Sequence, residues 1–379
     1  MFPLSPTPLI RKLALLVFLT AGKFSISAPL PTDLADSFHP PTKYENQYGN
    51  FRSPLLFENG TRVTSPADWR KRREEILQRW MEIMGPWPAL LEKPKVEILD
   101  QKERDNLIQK RVRIEIAPGQ TLIGYLLFPP GKGKFPAVLV PYYDAETSIG
   151  LGKADHPLRD FAYQLAKRGF VTLAIGSPGP EPRTTQFSGA RCQPLSYLAY
   201  VAANCANALA NLPEVNPAKI GVVGHSFGGK WAMFASCLSE RFACGVWSDP
   251  GIVFDEARAN VNYWEPWYLG EQDGPPRPVG LPSDTHPRTG AYKILVEKGM
   301  DLTELHALMA PRPFLVSGGA EDLPERWPAL NHAIAVNKLL GFDQRVALTS
   351  RKGHAPTAES NEQIYHFFEH FLLDGQPAP

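Results

Sequence analysis

A serine set between glycines, where an apolar strand gives way to a helix, is a residue type and a place suited to nucleophilic chemistry. The stretch KIGVVGHSFGGKWAMFAS contains this arrangement at Gly224, His225, Ser226, Phe227 and Gly228. Residues 220–223 form a short apolar strand run, and residues 230–238 are good helix formers. A sharp turn between them would hold Ser226 exposed and strained, and the small flanking residues would let neighbouring backbone close in. A hydroxyl is a weak nucleophile until a base takes its proton. The reading therefore requires a histidine and an orienting carboxylate further along, in the order serine, acid, histidine.

Six of the nine histidines follow the serine. His354, in RKGHAPT, lies beside Gly353 just past the final apolar strand, in a loop over the strand ends. His332, His366 and His370 fit helical faces. The His366 and His370 pair has ligand-like spacing but no third ligand with a mechanism. His286 and His306 fall in or near an insertion, where they could touch substrate. Asp322, in GGAEDLPERW after the strand RPFLVSGG, is the expected acid. Asp249, in WSDPG, is the alternative because it ends the strand that follows the nucleophile helix. Acyl transfer also needs donors for an oxyanion. The backbone N–H of Phe227 is one by position, and Tyr142 or Tyr143, after AVLVP, is expected to give the second.

The elements that must position these groups follow from periodicity. Residues 29–94 read as an irregular Pro-rich arm and a helix, capped by Ser65 and Pro66, whose Trp69, Ile76, Leu77, Trp80 and Met84 form a stripe that packs on the main domain. From residue 95 the period changes to two, giving antiparallel strands. Strands and helices then alternate through AVLVPYY, VTLAIG, IGVVG, CGVW, RPFLVSGG and RVALTS, which predicts a mostly parallel sheet with helices on both faces. Residues 251–305 interrupt this rhythm with Gly, Pro and aromatics, and read as a lid-like insertion above the strand ends. Within it Trp264 and Trp267 could stack on sugar faces. Arg326 and Trp327, beside the Asp322 loop, are further pocket-lining candidates.

The chain has 379 residues, 40 Lys+Arg against 39 Asp+Glu and 43% hydrophobic residues. That balance offers no electrostatic footprint for nucleic acid or an anionic membrane, and the composition excludes disorder as the main state. Residues 1–28 carry Arg11, Lys12 and the apolar run LALLVFLTAG before small residues, the order of a signal peptide, so the mature protein is expected to be secreted or periplasmic. About ten apolar residues fall short of the ~20 a spanning helix needs. Cys192, Cys205, Cys237 and Cys244 would permit one or two disulfides in an exported protein, with buried free thiols an equally good reading for Cys205 and Cys237, which fall in expected helices.

With GHSFGGK, ELHALMAPRPFLVSGGAED and GHAPT in view, the chain resembles the α/β-hydrolase esterases that act on carbohydrates, similar to acetyl xylan esterases and glucuronoyl esterases over roughly residues 95–375. The resemblance implies a serine carboxylic ester hydrolase using Ser226, His354 and an acid, with a polysaccharide or small-molecule ester as substrate and no metal or organic cofactor. PYYDAE is similar to the acetyl xylan esterase loop that supplies an oxyanion-hole tyrosine N–H, which favours Tyr143. Lys230 matches a lysine that glucuronoyl esterases use on sugar hydroxyls, and Asp249 falls where several of them keep a catalytic glutamate. Phe227 departs from their pattern, which has arginine after the serine. A peptidase of the prolyl-oligopeptidase type also fits GHSFGG, but no propeller-like domain fits in the first ninety residues. A non-catalytic carbohydrate-binding relative is the alternative outside the enzymes.

Overall fold

The computed structural model describes residues 29–373 apart from positions 153, 155 and 182, so the expected signal segment lies outside the described residues. Nine strands form one sheet: β1 (Val96–Arg104), β2 (Leu107–Ala117), β3 (Gln120–Phe128), β4 (Phe135–Pro141), β5 (Val171–Ile175), β6 (Val215–His225), β7 (Cys244–Ser248), β8 (Phe314–Gly318) and β9 (Val346–Ser350). The helices are α1 (Pro66–Met84), α2 (Ala145–Ser148), α3 (Phe161–Lys167), α4 (Pro194–Ala210), α5 (Phe227–Leu238), α6 (Gly290–Glu297), α7 (Leu302–Ala307), α8 (Trp327–Leu339) and α9 (Ala358–Phe368). The spatial strand order is β1-β2-β3-β5-β4-β6-β7-β8-β9. Its first four members pair antiparallel. From β5 to β9 every pair is parallel.

This layout follows from the residue pattern. β2 alternates buried Val112, Ile114 and Ile116 with exposed or half-buried Arg111, Arg113 and Glu115, as expected of a strand with one solvated face. β5, β7 and β8 are buried at every position, as parallel strands covered on both faces must be. One face packs against α1, α4, α5, α7 and α8. The other packs against α3 and α9. The strand order reverses between β4 and β6, since β4 leads to β5 on one side while β6 lies on the other. In open α/β sheets such a reversal leaves a crevice at the carboxyl ends of the strands.

The segment before the sheet is fastened to it. Ser65 caps α1 by accepting the Asp68 N–H at 3.1 Å. Trp69, Ile76, Trp80 and Met84 are buried as the stripe predicted, with Leu77 partly buried against them. Arg72 joins them, fully buried and paired with buried Glu304 of α7 and with Glu58. In the arm, Asn331 donates to the Tyr44 and Gln47 carbonyls at 2.8 and 2.7 Å. The insertion is organised by an internal ion pair: Glu265 accepts from Arg277 at 3.3 Å and from the Gly280 N–H at 2.9 Å. Arg277 also donates to the carbonyls of Pro278, Gly280, His286 and Pro287.

Thr357 is the N-cap of α9, in a reciprocal box with Ser360. All four cysteines are free and buried. Burial raises the Cys205 thiol to about 12, so these side chains behave as small hydrophobes. Among the described residues no helix is long and apolar enough to cross a membrane.

Candidate active site

Ser226 sits between β6 and α5 with φ 55° and ψ −113°, a conformation costly for a residue with a side chain. The flanking glycines explain how the turn holds. A Cβ on Gly224 would lie 2.0 Å from the Gly228 carbonyl oxygen, and one on Gly228 would lie 2.2 Å from the Pro141 carbonyl oxygen. The turn is therefore clamped between its own helix and the end of β4, and any side chain there would push them apart. Ser226 N–H donates to the Ser248 carbonyl at 2.8 Å, which ties the turn to the end of β7.

His354 comes from the loop after β9. Its Nε2 is 2.9 Å from Ser226 Oγ, and its Nδ1 is 2.6 Å from Asp249 Oδ2. With Nδ1–H donated to the carboxylate, Nε2 is left to accept the serine proton. Asp249 is fully buried and has φ 50°. Its Oδ1 accepts from the N–H groups of Gly319, Glu321 and Asp322 at 2.8, 3.0 and 2.9 Å. The backbone of the β8 loop thus fixes the carboxylate while its other oxygen faces the imidazole. Gly319 makes this approach feasible, since a Cβ there would be 2.7 Å from Asp249 Oδ2 and 2.5 Å from the Gly353 carbonyl oxygen.

Asp322, the expected acid, is therefore not the residue on His354. It is fully buried and turns back toward β7, where its two oxygens accept from Gly251 N–H at 2.8 Å and Ile252 N–H at 2.6 Å. The two carboxylates form a reciprocal clamp in which each binds backbone amides of the other's loop. Burial, with repulsion from Asp249 second, raises Asp322 to about 6, while its two backbone hydrogen bonds pull the other way.

Three residues absent from the sequence reading as site components hold this geometry. Arg351, nearly buried, donates from Nη1 to the Ser317 and Gly318 carbonyls at 2.7 and 3.2 Å, from Nη2 to the His354 carbonyl at 2.7 Å, and from Nε to the Ala355 carbonyl at 2.9 Å. It staples the histidine loop to the end of β8. An arginine directly after an apolar strand and three residues before the histidine was the available signal. His225 stacks obliquely beneath His354 at 4.7 Å between centroids, and Ser248 Oγ lies 3.1 Å from its Nδ1. Burial, followed by the influence of His354, depresses His225 well below the ordinary imidazole value, so a neutral ring underlies the base.

Of the expected oxyanion donors, Tyr142 N–H is occupied by the Ile175 carbonyl at 3.0 Å, whereas among the described residues no backbone carbonyl takes the N–H of Tyr143 or Phe227. Phe227 opens a helix of 12 residues, whose first N–H groups and dipole favour negative charge. The Tyr143 and Phe227 rings stack at 4.7 Å with an 18° interplanar angle, which ties the two donor-bearing segments together.

The expected substrate contacts are mostly corrected. Lys230 is 2% exposed. Its ammonium donates to the Pro250 carbonyl at 2.6 Å and the Asn260 carbonyl at 3.1 Å, with the Tyr263 and Tyr268 rings about it at 5.0 and 5.4 Å. Burial lowers it to about 8 despite the nearby Asp322, Glu321 and Asp249 carboxylates. Lys230 thus braces the segment just after Asp249. Trp264 is fully buried and bonds Glu265, so its ring has no free face for a sugar. Trp327 is buried at the start of α8, and Arg326 is engaged by Asp255 at 2.7 Å. Trp267 remains partly exposed, with Arg183 over its ring at 4.9 Å.

No family profile matches the sequence, and no curated protein does either. Solved structures do. A glucuronoyl esterase from Solibacter usitatus superposes with a TM-score of 0.65 at 19% identity, covering 84% of this chain and 97% of its own. A carbohydrate esterase family 15 glucuronoyl esterase from Caldicellulosiruptor kristjansonii does so at 0.62 and 18%, covering 90% and 93%. A Bacteroides fragilis protein provisionally described as an acetyl xylan esterase reaches 0.55 at 17%, covering 81% of both chains. At such identities the likeness speaks to architecture, and the architecture of this chain is the α/β-hydrolase fold.

Proposed function

We propose that this protein is a serine esterase acting on carbohydrate esters through an acyl-enzyme. The observation that carries this reading is the relay from Ser226 Oγ through His354, at 2.9 and 2.6 Å, to buried Asp249, with the serine on a strained turn at the strand ends. Ser226 Oγ attacks the ester carbonyl carbon as His354 Nε2 takes its proton. Asp249 holds the resulting imidazolium, which it faces with one oxygen while three backbone amides hold the other. The carbonyl oxygen becomes an oxyanion, met by the N–H groups of Phe227 and Tyr143. Collapse breaks the bond to the alcohol, which leaves with the proton from His354. Water then gives a proton to His354 and attacks the acyl carbon, and collapse releases the acid as His354 returns the proton to Ser226 Oγ.

Acetyl esters of xylan-type polysaccharides are the first substrate class in this reading, supported by the PYYDAE loop and the free Tyr143 N–H. Uronate esters are the second, favoured by the glucuronoyl esterases among the structural neighbours and opposed by Phe227 where they carry arginine. The buried Lys230 also weakens the uronate reading, because its ammonium is already engaged by two carbonyls. The N-terminal segment with Arg11, Lys12 and LALLVFLTAG is read as an export signal, which N-terminal sequencing of the mature protein would test. A panel of acetylated xylan, a glucuronate methyl ester and a peptide anilide tests the substrate class. The reading expects release of acetate, with Ser226→Ala inactive. Turnover of the anilide alone, or of nothing, would overturn it.

A further inference from the structure

Resting on the esterase reading, a second feature lies beside the Tyr142–Tyr143 corner. The loop 149–160 leaves α2 directly after that corner. Arg104 fastens its start by donating to the Ile149 carbonyl at 2.7 Å, and Asn361 fastens its end by donating to the Leu158 carbonyl at 2.8 Å. Asn361 belongs to α9, the helix that follows the His354 loop, so Leu158 is tied to the histidine side of the site and Ile149 lies on the oxyanion side. Near its end His156 sets its ring edge-on to Tyr142 at 6.4 Å. Burial raises the Tyr142 hydroxyl to about 12 and the charge of Arg159 opposes that rise; burial also lowers His225 and Arg351, both of which flank His354, and the Arg159 charge adds to it.

Arg159 has little to satisfy it. Its one hydrogen bond to a carbonyl runs from Nη1 to Pro157 at 3.3 Å. Its Nε is buried without a partner, as is His156 Nδ1, and no carboxylate of the described residues pairs with it. Two other half-buried arginines differ: Arg168 has Glu362 and Glu369, and Arg326 has Asp255. A guanidinium with several donors and no counter-charge among the described residues is matched in shape and charge by a carboxylate.

We propose that Arg159, with His156 beside it, forms an anion subsite at the mouth of the ester site, and that the favoured substrates are esters carrying a carboxylate close to the scissile acyl group. That carboxylate could belong to the acyl part or to a neighbouring acidic sugar. Two substrate pairs separate these sources: 4-nitrophenyl hemisuccinate against 4-nitrophenyl butyrate, and acetylated xylo-oligosaccharides with against without a uronic acid branch. The quantity read is the ratio of kcat/KM, anionic to neutral. We expect a ratio of about tenfold or more in one pair at low salt, narrowing at high salt. Arg159→Met should collapse that ratio at least tenfold, and Arg159→Lys should retain part of it. A ratio near one in both pairs, or equal losses on both members of a pair in Arg159→Met, would overturn the subsite while leaving the esterase reading intact. Absence of wild-type turnover on all four would overturn both.

Discussion

Asp249→Asn is the substitution that separates the two carboxylates most sharply. The substituted side chain would have one oxygen and one NH2 where the carboxylate has two acceptors. The three backbone amides of Gly319, Glu321 and Asp322 all point at Oδ1, so the amide oxygen is held there. The NH2 must then face His354 Nδ1 at the 2.6 Å position. A donor in that place forces the proton to the other ring nitrogen, and Nε2 can no longer accept from Ser226. Loss of the charged acid in comparable triads costs ~10⁴ in kcat. We therefore expect kcat/KM for 4-nitrophenyl acetate to fall about 10³–10⁴-fold, or about 4–5.5 kcal/mol of barrier, with the fold unchanged by circular dichroism. Asp322→Asn keeps one of its two amide contacts and should cost about tenfold in rate at most, with a stability loss of about 1–3 kcal/mol. A reversed order, with Asp249→Asn within tenfold of wild type and Asp322→Asn nearly inactive, would refute the assignment.

Further outcomes follow from the same contacts. Gly228→Ala would drive a Cβ to 2.2 Å from the Pro141 carbonyl and should destabilise by more than about 3 kcal/mol, seen as a large drop in Tm or loss of soluble protein; a wild-type Tm would contradict the clamp. Lys230→Met should lower kcat about tenfold or more with KM little changed, because the lysine braces the segment after Asp249; a rise in KM alone would return it to the substrate. Asp322, raised to about 6 from an ordinary value near 3.8, keeps its proton in the folded protein between about pH 4 and 6, where the unfolded chain has released it. Its contribution to stability therefore falls as pH rises through that window. The Tm of wild type relative to Asp322→Asn should be higher at pH 4 than at pH 7, and the opposite slope would refute it.

Much of the site was legible because its local rules are strict. The glycines around Ser226 have a single steric reason, and the strand, turn and helix around them share one pattern. His354 was legible because few histidines lie in a loop directly past a strand. The acid was not, because Asp249 and Asp322 both follow buried parallel strands, and the choice between them depends on which loop turns its amides toward the other. That is a tertiary property: Asp249 N–H donates to the Ser317 carbonyl at 3.1 Å, and its side chain is then aimed by the β8 loop. The aromatic insertion misled for a similar reason. Trp264 and Tyr263 carry large apolar area, and the Glu265–Arg277 pair folds the segment so that this area is buried rather than offered to a sugar.

Trapping the acyl-enzyme tests the central claim most directly. Brief exposure to a fluorophosphonate or a slow acyl donor, followed by peptide mass mapping, should place one equivalent of label on Ser226. His354→Ala should slow the labelling by orders of magnitude, and Ser226→Ala should take none. Label on another residue with activity lost in parallel, or ester turnover persisting in Ser226→Ala, would contradict the account.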